Sequence, residues 1–90
     1  MVETKEFLIK NRLGLHARAA AMLVKLTNGF KSEVFIEKDG QRVNGKSIMG
    51  VMMLAAGKGS TISVEVSGSD ALAMLEQLEQ LVDNRFGESE

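Results

Sequence analysis

Apolar residues recur along this 90-residue chain with two different spacings, and the order in which these spacings occur limits the folds that the chain can adopt. Apolar side chains at every second position predict strands, whereas those spaced three or four apart predict amphipathic helices. Strands are predicted over residues 3–10, 33–38, 41–44 and 60–67, and helices over residues 16–28, 47–54 and 69–84. Asp39-Gly40 is typical of a tight hairpin turn, and Ser69 is the predicted cap of the last helix.

This element order, β-α-β-β-α-β-α, predicts an α+β fold, an open-faced β-sandwich. A four-stranded antiparallel sheet would carry all three helices on one face, and its other face would meet solvent. Phe35 is predicted on that open face. A chain of 90 residues has room for one hydrophobic core, so we expect a single domain over residues 1–90.

The composition argues against several classes of function. The chain has no cysteine and one histidine, so it predicts neither a disulfide framework nor a metal site. A net charge of −1 with both signs interspersed argues against a general nucleic-acid binder. The apolar runs at 19–24 and 48–56 are shorter than the about 20 residues that span a bilayer, and the first residues lack a signal-peptide pattern. We expect a cytoplasmic protein without a cofactor.

His16, the single histidine, lies where the first helix is predicted to begin. The first amides of a helix lack intrahelical partners and carry part of the dipole's positive charge, which makes an anion site. A phosphoryl group on His16 would accept hydrogen bonds from the amides of Ala17 and Arg18, with the Arg18 guanidinium in reach. The same field disfavours protonation of the imidazole and leaves a nitrogen free as nucleophile. Because a lone histidine more often caps or packs, this pattern alone leaves both roles open.

Two motifs resemble those of one protein family. Residues 13–18, Leu-Gly-Leu-His-Ala-Arg, are similar to the active-site motif of the HPr family, the histidine-containing phosphocarriers of the bacterial phosphoenolpyruvate-dependent phosphotransferase system. Residues 44–50, Asn-Gly-Lys-Ser-Ile-Met-Gly, resemble the segment that carries the family's regulatory serine. The spacing of the motifs, the element order and the length match as well, so the resemblance covers essentially the whole chain.

The resemblance implies that His16 accepts a phosphoryl group on Nδ1 from enzyme I and donates it to enzyme II A-type domains. It assigns Arg18 to phosphate stabilisation and makes the protein a carrier, not an enzyme in the strict sense. One departure is Ala19, which stands where many family members have proline. Alanine is also a good helix former, so we expect the helix start to persist and any effect to fall on rate and partner choice.

Ser47 precedes the second predicted helix, where serine is a preferred N-cap. The resemblance implies that Ser47 is also phosphorylated by HPr kinase/phosphorylase, with a transcriptional regulator as a further partner. A phosphate at a helix N-terminus is tolerated electrostatically, so it would alter docking without unfolding the domain. Capping and regulation can therefore hold at once.

A docking surface is predicted beside His16. Methionine suits surfaces that accept several partners, and Met49 and Met52 are expected to be at least partly exposed. The predicted apolar docking residues are Ile48, Met49 and Met52. Lys25 and Lys46 would form a basic rim that attracts acidic partners, with an ordinary solvated position as the alternative for both.

Other functions stay open beside the phosphocarrier. A regulatory binding protein of a reduced or nitrogen-related phosphotransferase system would act through protein contacts without sugar uptake. If it were controlled through Ser47 alone, it would need no phosphohistidine, and the complete motif around His16 counts against that as the sole role. A nucleic-acid module would need exposed aromatic residues for base stacking, and Phe35 alone is placed for it. We expect a monomer, since no long coiled-coil pattern is present.

Overall fold

The computed structural model describes residues 2–90, and its order of elements agrees with the prediction. The strands are β1 (Val2–Leu8), β2 (Glu33–Lys38), β3 (Gln41–Asn44) and β4 (Thr61–Ser67), and the helices are α1 (Ala17–Thr27), α2 (Ile48–Met53) and α3 (Ala71–Asp83). A 3-10 turn at Arg85–Gly87 follows α3 and has no counterpart in the prediction.

The four strands form one antiparallel sheet in the order β1-β4-β2-β3, which confirms the predicted fold class. Strand β4 lies between β1 and β2, with Ser67 opposite both Val2 and Glu33. The hairpin between β2 and β3 is also confirmed. Its Asp39 (φ 51°) and Gly40 (φ 83°) adopt the left-handed conformation that this two-residue turn requires.

One face of the sheet packs against the helices, and the other face is open. Alternate residues of β2 and β4 are buried in a core shared with the helices. The core includes Val34, Ile36, Ile62, Val64 and Val66 of the sheet with Ala20, Leu23, Leu75, Leu78 and Val82 of the helices. Phe35 lies half-buried on the opposite face, as predicted, with the Arg42 guanidinium 4.4 Å from its ring centroid. Arg42 is held in turn by Glu65 at 2.8 Å.

The start of α3 differs from the prediction. Ser69 is not the cap, because Asp70 occupies the N-cap position and the helix begins at Ala71. The Asp70 carboxylate accepts hydrogen bonds from the amides of Lys31 and Ser32, both at 2.9 Å, and from the Ser32 hydroxyl. Asp70 therefore ties the start of α3 to the loop between α1 and β2, a contact that local capping preferences do not reveal.

Candidate functional site

The loop between β1 and α1 carries His16 and is fixed against the segment that follows α2. The amide of Leu15 donates to the carbonyl of Ala56 at 2.8 Å, and the Leu15 side chain is buried. Gly14 has φ +65°, and a Cβ atom there would lie 2.3 Å from the Ala56 oxygen, so only glycine fits. Packing and a backbone hydrogen bond thus fix the residue before His16, and with it the start of α1.

His16 is the N-cap of α1, so the helix begins one residue later than predicted, at Ala17. Its backbone is extended (φ −71°, ψ 178°), and its carbonyl accepts a hydrogen bond from the Ala20 amide at 2.8 Å. Within residues 2–90 its side chain makes no capping hydrogen bond, so the imidazole is available for other contacts. The first helical amides, at Ala17 and Arg18, need partners from outside the helix.

An open cleft lies beside the imidazole. It is lined by Arg12, Leu13, His16 and Arg18 on one side and by residues 87–90 on the other. The Arg18 side chain is exposed, and its planar donor fork suits the oxygens of a phosphoryl group. The cleft therefore brings the predicted His16 and Arg18 together and adds Arg12, which the sequence analysis does not single out.

The C-terminal segment folds back onto this cleft. Arg85 and Phe86 (both φ 54°) and Gly87 (φ 76°) are left-handed in succession, which reverses the chain after α3. Phe86 is fully buried in the hydrophobic core and anchors the reversal. Beyond it, the carbonyl of Glu90 accepts a hydrogen bond from the Arg12 amide at 2.7 Å, and the two side chains form an ion pair at 3.1 Å.

Glu88 contacts the imidazole directly. Its Oε2 lies 2.5 Å from Nε2 of His16, and its Oε1 accepts a hydrogen bond from Nδ2 of Asn11 at 3.1 Å. The side chains of Glu88 and His16 are 12% and 28% exposed, so both are largely screened from water. Hydrogen bonds from His16 first and Asn11 second, with a smaller effect of the Arg18 charge, hold the pKa of the Glu88 carboxyl below its ordinary value. Glu88 is therefore ionised near neutral pH.

Glu88, Asn11 and the C-terminal tail that joins them to His16 were not predicted from the sequence. No local pattern links residues 16 and 88, which are 72 positions apart. The available signal was Phe86, a large apolar residue beyond the last predicted helix, which indicates that the chain end packs onto the core.

Ser47 is the N-cap of α2, as predicted. Its Oγ accepts a hydrogen bond from the Gly50 amide at 3.0 Å, and its backbone is extended (φ −114°, ψ 119°). Its carbonyl accepts the amide of Val51 at 3.0 Å, which closes the first turn of the helix. The residue is half-buried, so its hydroxyl lies at the surface but is engaged in the helix start.

The predicted docking residues of α2 are all exposed. The exposed fractions are 43% for Ile48, 71% for Met49 and 38% for Met52. Leu13 and Met53, which were not predicted as docking residues, are also exposed. Lys25 is exposed, as expected for a basic rim, whereas Lys46 is half-buried. The ammonium group of Lys46 donates to the carbonyl of Phe30 at 2.8 Å and is therefore partly committed within the fold.

Within residues 2–90, no group of three or more histidine, cysteine, aspartate or glutamate side chains is arranged to hold a metal ion. None of the helices in that range is long and apolar enough to cross a bilayer. The candidate site thus consists of the cleft around His16 and the exposed start of α2.

Comparison with known proteins gives concordant matches. A family model described as the PTS HPr component phosphorylation site matches residues 3–84. Phosphocarrier protein HPr of Cupriavidus necator is 52% identical over 82 residues, which cover 91% of this chain and 92% of that protein. The crystal structure of HPr-C-His from Thermoanaerobacter tengcongensis superposes with a TM-score of 0.94 at 38% identity, covering 98% of this chain and 99% of that one. Crh of Bacillus subtilis, a dimer with a swapped domain, superposes with a TM-score of 0.74 at 42% identity, covering 94% and 97%.

Proposed function

Because this chain belongs to the HPr family of phosphocarrier proteins of the phosphotransferase system, we propose that His16 is the residue that accepts and donates the phosphoryl group. The observation that supports this most is the setting of the imidazole at the N-terminus of α1. Its Nε2 atom is engaged by Glu88, which leaves Nδ1 for the phosphoryl group. Such a protein is a carrier and not an enzyme, because the histidine is modified and regenerated by its partners.

Arg18 and the first amides of α1 stabilise the transferred group in this proposal. Phosphoryl transfer depends mainly on positioning and on neutralising the charge of the phosphoryl oxygens. The amides of Ala17 and Arg18 lack helical acceptors, and the Arg18 guanidinium lies in the same cleft as His16. Since Arg18 is exposed, its side chain can turn toward the phosphoryl group, and its guanidinium stays solvated when no phosphoryl group is bound.

We infer that enzyme I is the donor and that enzyme II A-type domains are the acceptors, in the cytoplasm and with the protein as a monomer. Partners would dock on the exposed apolar side chains around the site, Leu13, Ile48, Met49, Met52 and Met53. Lys25 would supply positive charge at the edge of this surface. A regulatory branch without sugar uptake is the alternative use of the same transfer, and a neighbouring gene for a sugar permease would argue against it.

Ser47 is the proposed regulatory site, with HPr kinase/phosphorylase as its modifying partner and a transcriptional regulator as the reader of the modified form. Phosphorylation would replace a neutral cap by about −1.5 to −2 charges at the N-terminus of α2. That charge would adjoin the exposed Ile48 and Met49, so it would weaken apolar docking there. The helix dipole favours the added charge, so α2 itself should persist.

Phosphorylation by enzyme I and phosphoenolpyruvate tests the acceptor assignment. The wild type is expected to gain an acid-labile phosphate, and His16→Ala none, because the imidazole is the nucleophile. Ser47→Ala serves as the matched control and should be phosphorylated like the wild type. An acid-labile phosphate on His16→Ala would contradict the proposal. Since the His16 side chain does not cap α1 in the described structure, the variant should fold, which circular dichroism checks.

A further inference from the structure

The contact between Glu88 and His16 fixes which ring nitrogen carries the proton. An ionised carboxylate can only accept hydrogen bonds, so Nε2 of His16 must donate to Oε2 of Glu88. In a neutral imidazole the other nitrogen then holds the free electron pair. Within residues 2–90 the His16 side chain makes its one hydrogen bond through Nε2, so Nδ1 remains available to a reacting group.

Glu88 is itself held in place from two directions. Nδ2 of the fully buried Asn11 donates both to Oε1 of Glu88, at 3.1 Å, and to the carbonyl of Gly14, at 2.8 Å. On the other side, the buried Phe86 fixes the chain two residues before Glu88. The carboxylate therefore belongs to a hydrogen-bonded network that includes the loop before α1, as expected of an orienting group.

We propose that Glu88 is a positioning residue for phosphoryl transfer, which holds the Nε2 proton of His16 and presents Nδ1 to the phosphoryl donor. This inference rests on the proposal that His16 is the acceptor. Glu88 would act like the carboxylate of a catalytic triad, which orients the catalytic histidine and stabilises the imidazolium that forms. Here the histidine is the nucleophile itself, so Glu88 acts through it and does not touch the phosphoryl group.

The transfer step moves two electron pairs and leaves the Nε2 proton in place. The electron pair of Nδ1 forms the bond to phosphorus, while the bond from phosphorus to the donor atom breaks and leaves its electron pair on the donor. The proton on Nε2 stays in place, so the phosphorylated ring carries a positive charge. The carboxylate of Glu88, at 2.5 Å from Nε2, offsets that charge in the product and does so less in the neutral reactant. In the reverse step the ring returns to its neutral form with the same proton.

Glu79 provides a control outside the cleft. It lies on α3, and its ion pair with Lys5 is nearly half exposed on both sides. Exposed pairs of this kind contribute little to stability. Glu79→Gln and Glu88→Gln remove the same charge, but only the second changes the contact to the imidazole.

The test combines a rate with a spectroscopic signature. The second-order rate constant for phosphorylation by phosphorylated enzyme I is measured for the wild type, Glu88→Ala, Glu88→Gln and Glu79→Gln. Glu88→Ala should be about tenfold slower, Glu88→Gln intermediate because its amide oxygen still accepts from Nε2, and Glu79→Gln unchanged. In proton NMR, a solvent-protected Nε2–H resonance of His16 should appear in the wild type and disappear in Glu88→Ala.

The outcomes separate this inference from the acceptor assignment. A wild-type rate in Glu88→Ala, an equal loss in Glu79→Gln, or an unprotected Nε2–H in the wild type would each overturn the role of Glu88. If His16→Ala is still phosphorylated on an acid-labile site, the acceptor assignment fails instead, and the Nε2–H resonance still reports whether Glu88 holds the ring.

Discussion

Gly14 is the residue at which the backbone itself determines the site. Its positive φ and its close approach to the Ala56 carbonyl set the path of the chain into His16. The sequence indicates a flexible loop position there, but the close approach depends on a segment more than 40 residues away in the chain. A local pattern can therefore predict that a glycine is useful, though not that it is required.

Gly14→Ala is expected to lower the free energy of unfolding by about 2–4 kcal/mol, because it combines a left-handed alanine with a backbone clash. Gly57→Ala is the matched control, since Gly57 has no atom within 4 Å of an added Cβ and should stay within about 0.5 kcal/mol. Urea unfolding measures both variants. Equal destabilisation by the two substitutions would contradict the importance of the contact to Ala56.

Arg18 is the second residue whose chemistry can be tested alone. Arg18→Ala is expected to slow phosphorylation by enzyme I roughly tenfold or more, because a positive charge and a two-pronged donor are lost. Arg18→Lys should recover part of the rate, since it keeps the charge without the planar fork. Stopped-flow or quench kinetics measure the rates. The assignment would be wrong if Arg18→Ala, which is exposed and should fold normally, reacted like the wild type.

Helices and strands with regularly spaced hydrophobic residues were predictable, but their ends were less so. Strand β4 and the buried face of α1 follow directly from alternating and helical spacing, and the hairpin follows from Asp39-Gly40. The start of α3 was not predictable in this way, because Ser69 and Asp70 are both good capping residues. Asp70 is the N-cap because its carboxylate accepts a hydrogen bond from the amide of Ser32, a residue of the distant loop between α1 and β2.

The bond network of Asp70 should give the fold a measurable dependence on pH. The Ser32 hydroxyl, followed by the Lys31 amide, lowers the pKa of Asp70 from 3.8 to about 2. The ionised form thus stabilises the folded state, and this contribution is complete above about pH 4 and declines as the pH falls toward about 2. Asp70→Asn should remove that part of the dependence. Urea midpoints measured from pH 5 to 2 that decline equally in both proteins would contradict this assignment.

At the scale of the whole molecule, the C-terminal tail packs back against the loop between β1 and α1. The two family motifs predicted His16, Arg18 and Ser47, since each lies within a short segment at the start of a helix. The tail contacts join residues at opposite ends of the chain, such as Arg12 and Glu90, and are set by the packing of Phe86. Such long-range contacts depend on the folded core and leave no local spacing in the sequence.

Phe86→Ala is expected to lower the free energy of unfolding by about 3–5 kcal/mol, because it leaves a cavity in the core. It should also slow phosphorylation as Glu88→Ala does, since the tail loses its anchor. Leu72→Ala, on the exposed side of α3, should change neither by much. Unfolding and transfer kinetics are measured at a temperature where both variants remain folded. If Phe86→Ala were destabilised but phosphorylated at the normal rate, the prediction that Phe86 supports the site through the tail would be contradicted.

Identification of the phosphorylated atom by nitrogen NMR tests the proposed chemistry most directly. Protein labelled with 15N at histidine is phosphorylated with enzyme I and phosphoenolpyruvate, and the two ring nitrogens of His16 are assigned from their couplings to the ring protons. The phosphoryl group is expected on Nδ1, with the proton retained on Nε2 beside Glu88. A phosphoryl group on Nε2, or unchanged His16 resonances in fully phosphorylated protein, would contradict it.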